Sequence, residues 1–170
     1  MKNLDKKLKK IKIVLTDVDG VLTDGGMYYS ANGDVMKKFH ARDGMGISLL
    51  KKNGIPTIIV TKEKTQMVKK WAKKMSVAKL YDGIIKKEEI LEKITKEFNV
   101  KSQEIAFIGD DVNDLKLLKA VGFSAMPNDG MKQLKKICDY QCKLSGGYGV
   151  LREIAELIFE RKFQNKYKSY

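Results

Sequence analysis

The chain has 170 residues, 43% of them hydrophobic, which suits one packed domain over residues 1–170 and argues against disorder. A net charge of +13 invites a nucleic-acid reading, yet only Arg42, Arg152 and Arg161 among 34 basic residues carry the guanidinium that binds phosphate and base edges bidentately. Two cysteines, Cys138 and Cys142, are too few for a disulfide framework or a four-thiolate zinc site, and the single histidine, His40, excludes histidine metal centres and Ser-His-Asp triads.

In chain order, the first ten residues are lysine-rich and read as a charged lead-in. Residues 11–16 form an apolar run that predicts a buried strand, and Asp17 and Asp19 follow at its end. Residues 27–39 read as a hairpin, because two β-patterned stretches flank Asn32-Gly33, a type I′ turn signal. An isolated hairpin is marginal in water, so a subunit contact is expected there. Helical patterns then fall at 46–52, 65–75, 88–98, 112–120, 131–137 and 150–163. Between them lie strand patterns at 58–61, 79–81, 105–109, 123–125 and 140–144. This alternation implies an α/β fold: a Rossmann-like, mostly parallel sheet with helices on both faces, a protruding hairpin and no cap domain. No apolar run reaches membrane-spanning length and no secretory pattern opens the chain, so a cytoplasmic protein is expected.

Asp17 and Asp19 are two residues apart at a strand end, so they leave toward the same side, into the crevice where open α/β sheets bind ligands. Two close carboxylates call for a cation, a phosphate or both. Further polar stations recur at strand ends: Thr61 after Ile58-Ile59-Val60, Lys87 at the start of a helix, and Gly109-Asp110-Asp111-Val112-Asn113-Asp114 after Ile105-Ala106-Phe107-Ile108.

In this order the stations resemble the four motifs of the haloacid dehalogenase superfamily. The sequence is more narrowly similar to its capless phosphatases, which act on 3-deoxy-octulosonate 8-phosphate and nonulosonate 9-phosphates. The segments Asp17-Val18-Asp19-Gly20-Val21-Leu22-Thr23, Phe39-His40-Ala41-Arg42-Asp43-Gly44 and Gly146-Gly147-Tyr148-Gly149 carry the narrower likeness. The resemblance implies Asp17 as nucleophile forming an aspartyl-phosphate, and Asp19 as general acid, then base, with the higher proton affinity of the two. It implies Thr61 and Lys87 as phosphate-binding groups, with backbone N–H groups near Val18 and Asp19. Mg²⁺ would be held by Asp17, the backbone carbonyl of Asp19 and Asp110, with Asp111 and Asp114 supporting.

Arg42, Glu63 and Lys74 match substrate-contacting positions, and the substrate is expected to be a phosphorylated sugar acid. Three residues depart from the pattern. Lys62 replaces a glycine, Trp71 an arginine expected on the substrate carboxylate, and Tyr148 a charged residue. Relatives are homotetramers whose hairpins pack together, and the same is expected here. The competing readings are a broader sugar-phosphate or polynucleotide-end phosphatase, and a non-catalytic binding protein on the same fold.

Overall fold

Four fully buried strands form the centre of the structure, a computed structural model that describes residues 2–164 and 166. They are β1 (Ile13–Thr16), β4 (Thr57–Val60), β6 (Ile105–Ile108) and β7 (Phe123–Met126). Two short strands, β5 (Lys79–Tyr81) and β8 (Tyr140–Gln141), flank them. The order is β5-β4-β1-β6-β7-β8, and every pairing is parallel. Strands covered on both faces read as continuous apolar runs, which is how Ile13-Val14-Leu15 and Ile58-Ile59-Val60 appear in the chain.

Side-chain alternation divides the core. Ile13, Leu15, Ile58, Val60, Ile105 and Phe107 point to one face, where Ile94 of α4 (Leu91–Glu97) and Leu117 of α5 (Leu115–Ala120) cover them. Val14, Ile59, Ala106 and Ile108 point to the other face. There they meet α1 (Lys2–Lys10), α2 (Ala41–Lys52), α3 (Gln66–Lys74) and α6 (Val150–Phe163), through residues such as Leu8, Ile47, Val68 and Ile154.

The first ten residues are not merely a charged lead-in. Leu4, Leu8 and Ile11 form an apolar stripe with helical spacing, and Leu8 and Ile11 are buried in the core that α6 shares. An ion pair between Arg161 and Asp5 adds to the docking. Helix α2 starts at Ala41, earlier than the apolar pattern shows, because His40 caps it: its Nδ1 accepts the Arg42 N–H at 3.2 Å. The stretch expected as a helix at 131–137 is instead a 3₁₀ turn, Lys132–Lys136.

The hairpin is present as β2 (Tyr28–Ser30) and β3 (Gly33–Met36), an antiparallel pair separate from the main sheet. Its turn is not type I′, which needs positive φ at both central residues; Ala31 and Asn32 make the turn and only Gly33 takes positive φ, at +102°. Met27, Tyr29, Val35 and Met36 of this segment are exposed. Among the described residues no helix is long and apolar enough to cross a membrane.

Candidate active site

From β1 the chain builds toward β4 and β5 on one side and toward β6, β7 and β8 on the other, so the order reverses between β1 and β6. Ligands of open α/β sheets bind beyond the strand C-termini at such a reversal. Asp17 follows β1 there and Asp110 follows β6. With Asp19, Thr61, Glu63 and Asp111 they line one cavity of about 220 Å³.

Asp17 is buried, and its two oxygens have different partners. Oδ1 accepts the Val18 N–H at 2.7 Å, and Oδ2 lies 2.6 Å from Lys87 Nζ. That N–H, expected to face a phosphate, is therefore occupied by Asp17 itself. Lys87 opens a 3₁₀ turn, Lys87–Ile90, and is fully buried; its Nζ also donates to Asp114 Oδ1 at 2.7 Å. Asp114 Oδ2 accepts the N–H groups of Asp110 and Asp111 at 3.0 and 3.5 Å. Both Asp114 oxygens are thus engaged in holding Lys87 and the loop that carries Asp110. Thr61 Oγ1 accepts the Glu63 N–H at 3.3 Å, which leaves its hydroxyl proton free to donate.

Three carboxylates, from Asp17, Asp110 and Asp114, each bring an oxygen within 4.8 Å of the others. Burial pushes Asp17 up to about 7; Lys87 opposes this and Asp114 reinforces it. Burial, then the charges of Asp17 and Asp114, push Asp110 up to about 8. Lys87 is held above its ordinary value, because Asp17 and Asp114 outweigh the burial that disfavours its charge. One ammonium among three acids leaves a deficit of positive charge that a hard divalent cation would fill. Gly20 makes the room: at φ +82°, a Cβ there would lie 2.1 Å from Asp110 Oδ2. Oxygen donors, excess negative charge and space together fit Mg²⁺.

Not all expected substrate residues converge. Glu63 lines the cavity, whereas Arg42 lines a separate cleft with Tyr140, Arg152 and Glu156, and Lys74 is exposed at the end of α3. Trp71 stacks on Phe39 with ring centroids 4.5 Å apart, so the indole fills space between α3 and the hairpin's root. Lys62 borders the cavity, and the Tyr148 ring lies 3.9 Å from Lys38 Nζ. One residue that holds the cavity's lining escaped the sequence reading: Lys37, whose Nζ is 2.7 Å from Asp19 Oδ1 and 3.0 Å from Glu63 Oε2. As one lysine in a chain this rich in them, it carried no signal of its own.

The sequence matches the haloacid dehalogenase-like hydrolase family over residues 61–154. The 3-deoxy-D-manno-octulosonate 8-phosphate phosphatase of Haemophilus influenzae is 34% identical over 157 residues, 92% of this chain and 87% of that protein. The chain belongs to the haloacid dehalogenase-like hydrolases. Among solved structures of this group, the 3-deoxy-D-manno-octulosonate 8-phosphate phosphatase of Moraxella catarrhalis, in complex with a magnesium ion, a phosphate ion and a KDO molecule, superposes with a TM-score of 0.93. It is 34% identical, and the match covers 98% of this chain and 95% of that one. The Yersinia pestis phosphatase of the same name gives 0.93 at 27% identity, over 96% and 89% of the two chains. The family is one of phosphatases in these relatives, and in this chain Asp17, Lys87, Asp114 and Asp110 lie together beyond the ends of β1 and β6.

Proposed function

We propose that this chain is a Mg²⁺-dependent phosphomonoesterase that acts through an aspartyl-phosphate on Asp17. One observation carries the reading: Asp17 and Asp19 after β1, Thr61 after β4 and Asp110 after β6 arrive at one cavity, with Lys87 neutralising Asp17 from its buried side. An Asp17 oxygen attacks phosphorus and the ester P–O bond breaks, while Asp19 gives its proton to the departing alcohol oxygen. In the second half, Asp19 takes a proton from water, the water oxygen bonds to phosphorus, and the P–O bond to Asp17 breaks. Thr61 donates its hydroxyl proton to a phosphoryl oxygen, and Lys87 adds positive charge beside the reacting carboxylate. Asp114 fixes Lys87 and, with Asp111, the turn that presents Asp110. Mg²⁺ would be held by Asp17, Asp110 and the backbone carbonyl of Asp19, and when bound it neutralises phosphoryl charge.

The substrate class is a phosphorylated 3-deoxy-ulosonic acid, and the relatives' activity supports 3-deoxy-D-manno-octulosonate 8-phosphate over nonulosonate 9-phosphates. Glu63 lines the cavity, which supports reading it as a contact to the sugar. The exposed Met27, Tyr29, Val35 and Met36 support a homotetramer built on hairpin contacts. Phosphate release from the octulosonate and nonulosonate esters, with and without Mg²⁺, tests the proposal. Release from the octulosonate ester that depends on Mg²⁺ is expected; hydrolysis confined to DNA 3′-phosphate would overturn it.

A further inference from the structure

Lys37 lies just beyond β3, where the hairpin returns to the body of the protein, and its side chain is only 6% exposed. Burying and immobilising a lysine is unfavourable unless its ammonium is matched, and here it faces Asp19, Glu63 and, at 3.9 Å, Asp34. The backbone on either side is anchored as well. Phe39 stacks on Trp71, Thr23 and Phe39 form a β-bridge, and Lys38 turns to Asp24 and the Tyr148 ring. The position of the Lys37 ammonium is therefore set by the fold.

Its contact with Asp19 selects one oxygen. Lys37 donates to Oδ1 at 2.7 Å, and the Thr23 hydroxyl reaches the same Oδ1 at 3.3 Å. A carboxyl fixed through Oδ1 keeps Oδ2 for proton exchange.

We infer that Lys37 is a positioning residue for the proton-transfer step: through its contact with Oδ1 of Asp19 it orients that carboxyl so that Oδ2 faces the leaving oxygen. This rests on the phosphatase reading above. A lysine that only pins the hairpin would affect all substrates alike. One acting through the general acid matters most where the leaving oxygen needs a proton.

The test compares kcat/KM for para-nitrophenyl phosphate, phenyl phosphate and 3-deoxy-D-manno-octulosonate 8-phosphate in Mg²⁺, for the wild type, Lys37→Met and Lys37→Arg. This parameter covers the steps through loss of the alcohol or phenol. Lys37→Met should lose about tenfold or more on the phenyl and sugar esters, which need protonation, and less than about threefold on the nitrophenyl ester, which does not. Lys37→Arg should recover most of the loss. A parallel fall on all three esters, or no fall on any, overturns the inference. If Lys37→Met does not melt cooperatively, Lys37→Gln is read by the same criteria. A wild type that cleaves the aryl esters but not the sugar ester refutes the substrate assignment while the aryl pair still judges Lys37. A wild type that cleaves none refutes the phosphatase reading, and the inference falls with it.

Discussion

Lys87 Nζ lies 2.6 Å from Asp17 Oδ2, and neither side chain is more than marginally accessible to water. A buried ion pair of this kind is a poor source of net stability, but losing one partner leaves an uncompensated charge. Lys87→Met should therefore lower turnover about a hundredfold or more and destabilise the fold by about 3 kcal/mol. Phosphate release and urea unfolding measure the two effects. Near-wild-type turnover would show that Lys87 holds the fold but not the chemistry.

Asp17→Asn removes the nucleophile and also a carboxyl whose charge burial opposes. Turnover should vanish while the melting temperature stays level or rises, since Asp114 still pairs with Lys87. A melting temperature well below wild type would show that Asp17 is held chiefly for folding.

Gly20→Ala tests the space beside Asp110. The added methyl would sit 2.1 Å from Asp110 Oδ2 on a backbone at φ +82°, so the carboxylate must move. The Mg²⁺ concentration for half-maximal activity should rise about tenfold or more, and the rise in melting temperature on adding Mg²⁺ should shrink. Unchanged Mg²⁺ dependence would place the cation away from Asp110.

Asp43 gives a pH signature outside the catalytic cavity. The Arg152 N–H donates to its Oδ1 at 3.0 Å, and burial pushes the carboxyl from 3.8 up to about 6. Above the unfolded value the folded chain keeps a proton that the unfolded chain has lost, so stability falls as pH rises toward the folded value. Asp43→Asn cannot titrate. The stability of wild type minus that of Asp43→Asn should drop by about 2 kcal/mol from about pH 4 to about pH 7, with a slope that approaches about 1.4 kcal/mol per unit only near pH 5. Unfolding free energies across this range would measure it, and a flat difference would contradict it.

The hairpin's exposed residues carry the assembly prediction. Tyr29→Glu with Met36→Glu should convert a tetramer into smaller species by sedimentation, because like charges would meet across an apolar contact. A wild type that sediments as a monomer at micromolar concentration would remove the basis for it.

Much of this was legible in the chain because its signals are local. The run Ile13-Val14-Leu15 marks a buried strand, and the order Asp17, Thr61, Lys87, Asp110 places polar groups at successive strand ends. What stayed hidden depends on distant partners. Leu4 and Leu8 form a helical stripe only once α6 is there to receive it, within a segment whose lysines dominate its composition. Arg42 lies next to a recognisable Asp-Gly, yet the helix that starts at Ala41 directs it into another cleft. Lys37 gains meaning only when the hairpin's return places it between Asp19 and Glu63, which are 44 residues apart in sequence (63 less 19).

The most direct measurement is rapid acid quenching of the Mg²⁺-loaded enzyme with phosphorus-labelled 3-deoxy-D-manno-octulosonate 8-phosphate, followed by peptide mapping. Label bound to the peptide containing Asp17, released by hydroxylamine and absent from Asp17→Asn, is the expected result. Label on another residue, or sustained turnover by Asp17→Asn, would contradict the covalent route.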